Sequence, residues 1–423
     1  MPSKIVRMAA AKRSRRRAKP PLEYSILYTA TLCLLAAGAV MVYSASSAES
    51  LIQNGDPAFF LKRYAMFGAL GLIAMHAISR GGLRVVKKAT PVLLGISFVL
   101  TVAVMLPGIG ITVNGATRWL GAGPVQFQPS ELLKVSLTLY SAGLLASRPK
   151  CLRSVKELCR PLLVVVGAAC LLLLKQPDMG TAMVICLSTF ALLVAAGARM
   201  RHLGTILVAL AAVAMVFALA APYRRDRLLS FVDPWHDAAG IGFQAAQAQI
   251  ALGSGGMFGV GLGESVQKNF YLPEAHTDMI LAIVGEELGV MGVAALAALY
   301  GLIAYAGFRA AKLARDRYPK LLAAGLTALI LTQAALNFFA VLGMAPLTGV
   351  PLPFVSYGSS NLVVLLGAMG LVLNVAATGG RSAARGRGRL EAIDGGSDAD
   401  SDRRRRDGGA RRARAGNRRR AAG

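Results

Sequence analysis

Charged residues are scarce in this sequence, and their scarcity excludes a soluble globular protein. Only 16% of its 423 residues are charged, whereas 55% are hydrophobic and the mean hydropathy is +0.54. A soluble domain carries about 25% charged residues, which cover its surface. The polar side chains here are too few for that purpose, so we interpret the chain as an integral membrane protein.

Metal ligands are also rare. The chain has four histidines and five cysteines, and it lacks a His-Glu-x-x-His motif. Cys151 and Cys159 have a spacing that fits no zinc pattern. We therefore expect no metal site built by the protein alone and no tightly bound cofactor.

Long apolar segments are abundant, and most of them approach the length that a bilayer requires. A membrane-spanning helix needs roughly 17 to 25 residues. The sequence therefore predicts an all-α integral membrane protein with about ten transmembrane helices. The apolar runs lie at 25–44, 64–78, 90–108, 132–146, 161–174, 181–198, 203–221, 279–308, 321–342 and 352–376.

The distribution of Lys and Arg predicts the orientation. Basic residues cluster before the first run and in every second connection, at 84–88, 148–160, 199–201 and 309–320. The positive-inside rule places these segments in the cytoplasm, together with both termini. The long connection at 223–275, between predicted helices 7 and 8, is then extracytoplasmic.

The net charge of +26 comes mostly from the two tails and the inner loops. We predict a basic disordered tail at 1–22, one membrane domain at 23–378 and an Arg-rich disordered tail at 379–423. Tails of this composition cannot bury a core. We expect them to be attracted to anionic membrane lipids or to an acidic partner, and we expect no nucleic-acid partner.

Three ionisable residues stand at the start of the eighth apolar run: Glu274, His276 and Asp278. Ionisable groups beside or inside a membrane segment are costly, so their presence there suggests function. For Asp278 alone, a simpler interpretation is that it caps a helix that begins at Met279. Capping does not explain the other two residues.

Glu286 and Glu287 follow inside the same apolar run. On a continuous helix they would lie about 12 to 14 Å deeper than Asp278, too far away to share its chemistry. We expect a structural role for both, in which they pair with polar groups inside the bundle.

Other outward-facing segments contribute further polar groups. Ser130 is a candidate helix N-cap. Glu131 and Lys134 have the i, i+3 spacing of a helical ion pair. Singly, each group is explained as an interfacial anchor or an ion pair, but several cations and a carboxylate converge on one membrane face. The cations are Arg118, Lys175, Arg224 and Arg225.

The outer loop also carries a glycine-rich strap at 253–263, preceded by a short amphipathic helix at 244–252. Exposed backbone amides in such a strap are suited to an anionic group. The default explanation of the glycines is tight turning.

Eight motifs rich in Gly, Pro and polar residues follow one another along the chain. They are Asn114-Gly-x-x-Arg118-Trp, Gln128-Pro-Ser-Glu-Leu-x-Lys134, Lys175-Gln-Pro-Asp-x-Gly-Thr181, Asp233-Pro-Trp, Gly253-Ser-Gly-Gly, Tyr271-Leu-Pro-Glu-Ala-His-Thr-Asp278, Gly285-Glu-Glu-Leu-Gly289 and Pro351-Leu-Pro-Phe-Val-Ser-Tyr-Gly358. In this order they closely resemble the SEDS (shape, elongation, division, sporulation) family. The resemblance covers the apolar runs and omits only the tails.

The resemblance implies a ten-helix membrane bundle and an activity. Members of the family are peptidoglycan glycosyltransferases that polymerise lipid II together with a class B penicillin-binding protein. The motifs resemble the division branch more than the elongation branch. That branch implies septal synthesis, other membrane proteins of the division machinery as partners, and a location in the cytoplasmic membrane at the division septum.

By the same resemblance, Asp278 is the catalytic carboxylate. The substrate and pyrophosphate group then comprises Arg118, Lys175, Arg224, Arg225, Glu274 and His276, acting directly or with a divalent cation, Mg²⁺ or Mn²⁺, on the lipid pyrophosphate. The structural polar residues are Glu131, Lys134, Glu286, Glu287 and Ser356.

Three alternatives to a division polymerase remain open at the level of sequence. The first is an elongation-type polymerase of the same family. The second is a lipid II flippase, which would need polar groups at the middle of the bilayer. The third is a non-catalytic scaffold that recruits a transpeptidase.

Overall fold

The protein is a bundle of long helices in a computed structural model, which describes residues 20–113, 115–122, 125–219 and 231–379. Most of both predicted tails, and Arg224 and Arg225, lie outside these residues. The bounds predicted for the membrane domain remain predictions.

Each predicted apolar run falls on one helix, and α8 lies in the predicted outer loop. The helices are α1 (Leu22–Asn54), α2 (Phe59–Arg80), α3 (Leu83–Ala103), α4 (Pro129–Ser147), α5 (Val164–Lys175), α6 (Met179–Ala196), α7 (Met200–Leu219), α8 (Phe243–Gly255), α9 (Ile280–Leu313), α10 (Arg317–Val341) and α11 (Ser359–Gly379). Between α4 and α5, a 3₁₀ turn (Pro149–Arg153), one α-helical turn (Val155–Leu158) and a π turn (Cys159–Leu163) follow one another.

Six of the described helices are long and apolar enough to cross a bilayer: α1, α3, α6, α9, α10 and α11. The chain is therefore a multi-pass membrane protein, while the count of ten spans stays a prediction. Within their most apolar windows, 78% of α10 and 72% of α11 is buried, against 17% of α3. Hence α10 and α11 form the centre of the bundle, and α10 packs against α4, α6 and α9.

A small sheet interrupts the helices between α3 and α4. Its strands are β1 (Ile111–Val113), β2 (Ala116–Ala122) and β3 (Val125–Phe127), which pair antiparallel in that order. The prediction of an all-α chain missed this sheet, because two of its three strands have only three residues, too few to show an alternating pattern. The strand β2 carries Arg118.

The long helix α9 is broken at Gly289, which has φ 66° and ψ −166°. Before the break, every residue from 280 to 287 is buried; after it, buried residues recur every three or four positions. The first part is thus enclosed by protein, and the second part has one protein face and one lipid face. The second part, 290–313, is about 36 Å long, enough to cross the hydrocarbon core alone.

The outer loop supplies the backbone partners that this break requires. The N–H groups of Val260 and Gly261 donate to the carbonyls of Glu286 and Glu287, at 3.0 and 3.1 Å. Beyond the break, the N–H of Val290 donates to the carbonyl of Gly256 at 3.0 Å. The strap therefore lies against α9. The amides of Val260 and Gly261 are hydrogen-bonded to carbonyls of α9 and are not available to bind an anion.

Helix α1 contacts Glu287, so the length of α1 gives the distance of this residue from the opposite end of the bundle. Glu23, near its start, pairs with Arg309 at 2.8 Å, and Ser44 donates to Glu287 at 2.6 Å. The 21 residues from Glu23 to Ser44 correspond to about 32 Å of helix, a full hydrocarbon thickness. Glu287 therefore lies about one hydrocarbon thickness from the end of the bundle that carries Glu23.

The break predicts a specific intolerance of side chains at Gly289. A Cβ there would lie 2.6 Å from the carbonyl oxygen of Met257, in a backbone conformation open almost only to glycine. We expect Gly289→Ala to lose about 3 kcal/mol of stability and to lower the thermal unfolding midpoint in detergent. The matched control is Gly301→Ala in the same helix, where a Cβ meets nothing within 4 Å. Equal midpoints for the two variants would contradict this account.

Candidate active site

The segment before α9 forms a tight turn that carries Asp278. The carbonyl of Glu274 accepts hydrogen bonds from the N–H groups of Thr277 and Met279, at 3.1 and 3.2 Å. The helix begins at Ile280, Met279 occupies the cap position, and no side chain caps the helix. The alternative that Asp278 is a helix cap is therefore wrong.

The Asp278 carboxylate is half-buried and lies beside an exposed glycine. The Thr277 hydroxyl is 3.4 Å from Asp278 Oδ1 and 2.6 Å from Glu274 Oε2, so the two carboxylates flank one hydroxyl. A Cβ at Gly349 would lie 3.7 Å from Asp278 Oδ2. Because Gly349 carries no side chain, this oxygen lies next to an accessible strip of backbone.

The backbone of Asp278 is held by an amide from the central helix α10. Asn337 Nδ2 donates to the carbonyls of Asp278 and Val350, at 2.7 and 2.8 Å. One side chain thus fixes the turn before α9 and the loop before α11 in relation to each other. The sequence analysis missed Asn337, although a buried amide in an apolar helix was a usable signal.

One turn earlier on α10, Gln333 lies at the centre of a second set of hydrogen-bonded polar side chains. Lys134 Nζ contacts Glu131 at 2.9 Å and donates to Gln333 Oε1 at 2.9 Å, with both charged side chains almost fully buried. Gln333 Nε2 in turn donates to the Pro351 carbonyl and to Asn361 Oδ1, at 3.0 and 3.1 Å. The predicted ion pair is present, and it is connected to the loop that precedes α11.

Ser356 lies in that loop. Its Oγ accepts the N–H of Leu352 at 2.8 Å, and its own N–H donates to the Leu352 carbonyl at 3.0 Å. These bonds close a turn in the backbone just after Val350. The described hydrogen bonds of Ser356 are therefore with the backbone of its own turn.

The turn between α5 and α6 is organised by Asp178, which the sequence analysis did not single out. Its Oδ1 accepts the N–H of Thr181 at 3.2 Å and so caps α6. Its Oδ2 lies 3.4 Å from the Ser130 hydroxyl. Ser130 was predicted to cap α4, but Gln128 occupies that position, and Ser130 lies inside the first turn.

The predicted cations differ in their surroundings. Arg118 Nε donates to the Gln176 carbonyl at 3.0 Å, and a second guanidinium nitrogen donates to the Pro177 carbonyl. Arg118 thus connects β2 to the turn after α5. Lys175 is exposed and forms no ion pair within the described residues.

His276 is buried in an aromatic cluster. Its ring centre lies 4.4 Å from that of Phe60 and 5.7 Å from that of Tyr357, and its Nδ1 is 3.5 Å from Glu49 Oε2. Burial lowers the pKa of His276 from its usual 6.5, while the carboxylates of Glu49 and Glu274 act in the opposite direction. In this position the side chain packs between elements and is not presented to solvent.

Glu286 and Glu287 each bind groups from the outer loop. Glu286 accepts the Ser265 hydroxyl at 2.5 Å and the N–H of Val266 at 3.0 Å. Glu287 pairs with Lys268 at 3.0 Å and accepts the Ser44 hydroxyl. Both carboxylates therefore fasten the loop to α1 and α9.

Comparison with known proteins identifies the family. The family model described as "Cell cycle protein", which covers FtsW, RodA and SpoVE, matches residues 25–379. The chain belongs to this family. The resemblance to the SEDS family seen in the sequence is thereby confirmed.

Relatives at high coverage come from two branches of the family. A protein named probable peptidoglycan glycosyltransferase FtsW, from Thioalkalivibrio sulfidiphilus, is 42% identical over 353 residues, 82% of this chain and 88% of the relative. Stage V sporulation protein E of Bacillus subtilis is 39% identical over 351 residues, 83% of this chain and 96% of the relative. The FtsW name agrees with the expectation of a division-type member.

Solved structures of family members share the fold. A chain from a peptidoglycan synthase complex, described as coordinating polymerization and crosslinking, has a TM-score of 0.68 and 30% identity, covering 83% of this chain and 96% of that chain. RodA of Thermus thermophilus has a TM-score of 0.61 and 29% identity, covering 83% and 95%.

The buried Lys268–Glu287 pair predicts that the stability of the protein depends strongly on Lys268. Lys268→Met leaves Glu287 buried without a counter-charge, and we expect a loss of about 3 to 5 kcal/mol. Thermal unfolding in detergent measures it, and the double variant with Glu287→Gln should recover part of the loss. The control, Lys62→Met, breaks the exposed Lys62–Asp56 pair and should change the midpoint little. A Lys268→Met variant as stable as the control would refute the prediction.

The burial of His276 predicts a pH dependence. Its folded pKa lies below its unfolded value, so the unfolded chain binds the proton more readily. This contribution to stability is complete above about pH 6.5 and is lost as the pH falls below that value. Between pH 7 and 5, we expect the unfolding midpoint of the wild type to fall further than that of His276→Gln. The control is His76→Gln, at an exposed position on α2, which should follow the wild type.

Proposed function

We propose that this protein is a peptidoglycan glycosyltransferase that polymerises lipid II at the outer face of the cytoplasmic membrane during septal synthesis. The observation that carries the proposal is the Asp278 carboxylate, which caps no helix and lies half-buried beside Gly349. Its backbone is fixed by Asn337. A carboxylate held in this way, at the membrane boundary, is suited to proton transfer. Membership of the family and the names of the relatives support the same activity.

The proposed reaction uses Asp278 as a general base. The carboxylate takes the proton of the 4-hydroxyl of one saccharide as that oxygen attacks the anomeric carbon of another. The new glycosidic bond forms while the bond to the undecaprenyl pyrophosphate breaks, and the configuration at the anomeric carbon inverts. Pyrophosphate is a good leaving group, so the departing oxygen needs charge stabilisation more than it needs a proton.

Of the two predicted cations that the structure describes, Lys175 is the better placed to bind the pyrophosphate. It is exposed at the same outer end and has no competing ion pair among the described residues. Arg118 acts as a positioning residue, because two carbonyls of the Lys175–Asp178 turn already bind its guanidinium. Arg224 and Arg225 open the same outer loop and are further candidates.

The remaining predicted site residues receive supporting roles. Glu274 shares the Thr277 hydroxyl with Asp278 and adds negative charge beside it. His276 packs the turn against α2. The described residues hold no group of three or more metal-ligating side chains. In this proposal a divalent cation, Mg²⁺ or Mn²⁺, would arrive with the lipid pyrophosphate, whose oxygens are suitable ligands.

The partner and the location follow from the same proposal. A class B penicillin-binding protein would cross-link the strands, since a similar chain occurs in a peptidoglycan synthase complex. Other division membrane proteins would bring the pair to the septum. The basic connections support a cytoplasmic location for both termini.

The proposal predicts that Asp278→Asn loses catalysis while keeping the fold. We expect glycan synthesis from purified lipid II, with the candidate transpeptidase present, to fall about a hundredfold or more. The matched control is Glu264→Gln, an exposed carboxylate of the outer loop. Wild-type turnover by Asp278→Asn would refute the proposal that Asp278 is the general base. Lipid II movement across proteoliposomes without any polymer would indicate a flippase, and rescue of a depleted strain by Asp278→Asn would indicate a scaffold.

The proposed role of Lys175 predicts that its substitution weakens the binding of lipid II and leaves the chemical step nearly unchanged. Removing a contact that the pyrophosphate makes in both ground and transition states raises KM and leaves kcat nearly unchanged. For Lys175→Met we expect an increase in the KM for lipid II of about tenfold. Lys62→Met, a second exposed lysine of the outer end, is the control. An unchanged KM would remove Lys175 from the site.

A further inference from the structure

A large cavity opens at the end of the bundle opposite Asp278. Its volume is about 1020 Å³. The lining comes from the starts of α1, α3 and α10 and from the ends of α2 and α11. Since α1 runs the length of the bundle between the two ends, this cavity is separate from the candidate active site. It lies on the face that the basic connections predict to be cytoplasmic.

The cavity has an excess of positive charge. Among the described residues of its lining, Arg80, Arg84 and Lys87 are cations, and Asp316 is the one carboxylate. None of the three cations forms an ion pair within the described residues. Unpaired cations around a concave surface produce a local positive potential that attracts anions.

The backbone that carries these cations is fixed. Asn374 on α11 donates to the carbonyls of Ser79 and Gly81, at 2.8 and 2.6 Å, and so holds the turn between α2 and α3. The Lys87 ammonium lies 5.3 Å from the centre of the Tyr318 ring, a cation–π distance. A fixed frame reduces the ordering cost when a ligand binds.

We propose that this cavity binds a phosphate-bearing anion. Two guanidinium groups and one ammonium form a donor set that matches phosphate oxygens. Tyr24 and Leu83 add an apolar part to the same lining, as a ligand at the membrane boundary requires. The phosphate belongs either to the headgroup of an anionic phospholipid of the adjacent leaflet or to a soluble phosphate compound.

The test measures binding by the full chain in detergent, independently of glycan synthesis. One arm titrates phosphatidylglycerol against phosphatidylcholine, followed by native mass spectrometry. The other arm titrates inorganic phosphate against chloride at equal ionic strength, followed by the unfolding midpoint. The cavity variant is Arg80→Gln/Arg84→Gln/Lys87→Gln. The matched control, Lys150→Gln/Arg199→Gln/Arg201→Gln, removes the same charges from exposed positions outside the cavity lining.

We expect the wild type and the control to bind one of the probes with affinities within about twofold of each other. The cavity variant should bind at least about tenfold more weakly. Binding of phosphatidylglycerol alone would assign the phosphate to a lipid, and binding of inorganic phosphate alone would assign it to a soluble compound. If the triple variant does not fold, Arg84→Gln and Arg199→Gln form the matched pair.

The proposal would be overturned by a cavity variant with wild-type affinity, by a control that loses as much as the cavity variant, or by a wild type that binds neither probe. Binding that appears only after the acidic segment at 391–402 is neutralised would also overturn it. That result would make the chain's own tail the occupant. The carboxylates of this segment are Glu391, Asp394, Asp398, Asp400 and Asp402.

Discussion

The side-chain amide of Asn337 is the interaction on which the geometry of the candidate site depends. It joins the carbonyl of Asp278 to that of Val350, two segments far apart in the chain. Both carbonyls lie beside a buried helix, where an unpaired polar group costs about 1 to 3 kcal/mol. Because both carbonyls need a hydrogen-bond donor, Asn337 fixes the turn that carries the Asp278 carboxylate. The candidate base is thus positioned by the central helix α10.

The same constraint recurs along α10 and around α9. Gln333 connects the buried Lys134–Glu131 pair to the loop before α11, and Lys268 neutralises Glu287. Buried ion pairs of this kind add little net stability compared with apolar residues of the same volume. Their effect is positional, because each pair holds an outer segment against the bundle in one arrangement. The outer end of the protein therefore consists of polar segments that these pairs hold against an apolar bundle.

The two ends of the bundle differ in how their charges are balanced. At the outer end, the buried carboxylates Glu131 and Glu287 are paired with Lys134 and Lys268, and the Asp278 carboxylate lies beside the Thr277 hydroxyl. At the opposite end, three cations surround a cavity with a single carboxylate. The first arrangement favours a defined reaction geometry, whereas the second favours attraction of an anion.

Much of this architecture could be predicted from the sequence because it depends on composition and order. The apolar runs marked the helices, the motifs marked the family, and the segment 271–289 marked Asp278 and its neighbours. The errors arose where distant segments meet. Ser130 fits the local rule for a cap, but the chain places Gln128 there and turns Ser130 towards Asp178. Likewise, the strap amides that looked free are bound by α9.

The sequence by itself determined that the chain lies in a membrane, which family it belongs to and which carboxylate is the candidate base, since hydropathy and motifs are properties of consecutive residues. Only the tertiary structure decided that Asp278 caps no helix, that α9 breaks at Gly289, and that Asn337 holds the site. It also brought Arg80, Arg84 and Lys87 around one cavity. The physical reason is that hydrogen bonds and ion pairs are made between atoms close in space, and local sequence patterns carry no information about which distant segments meet.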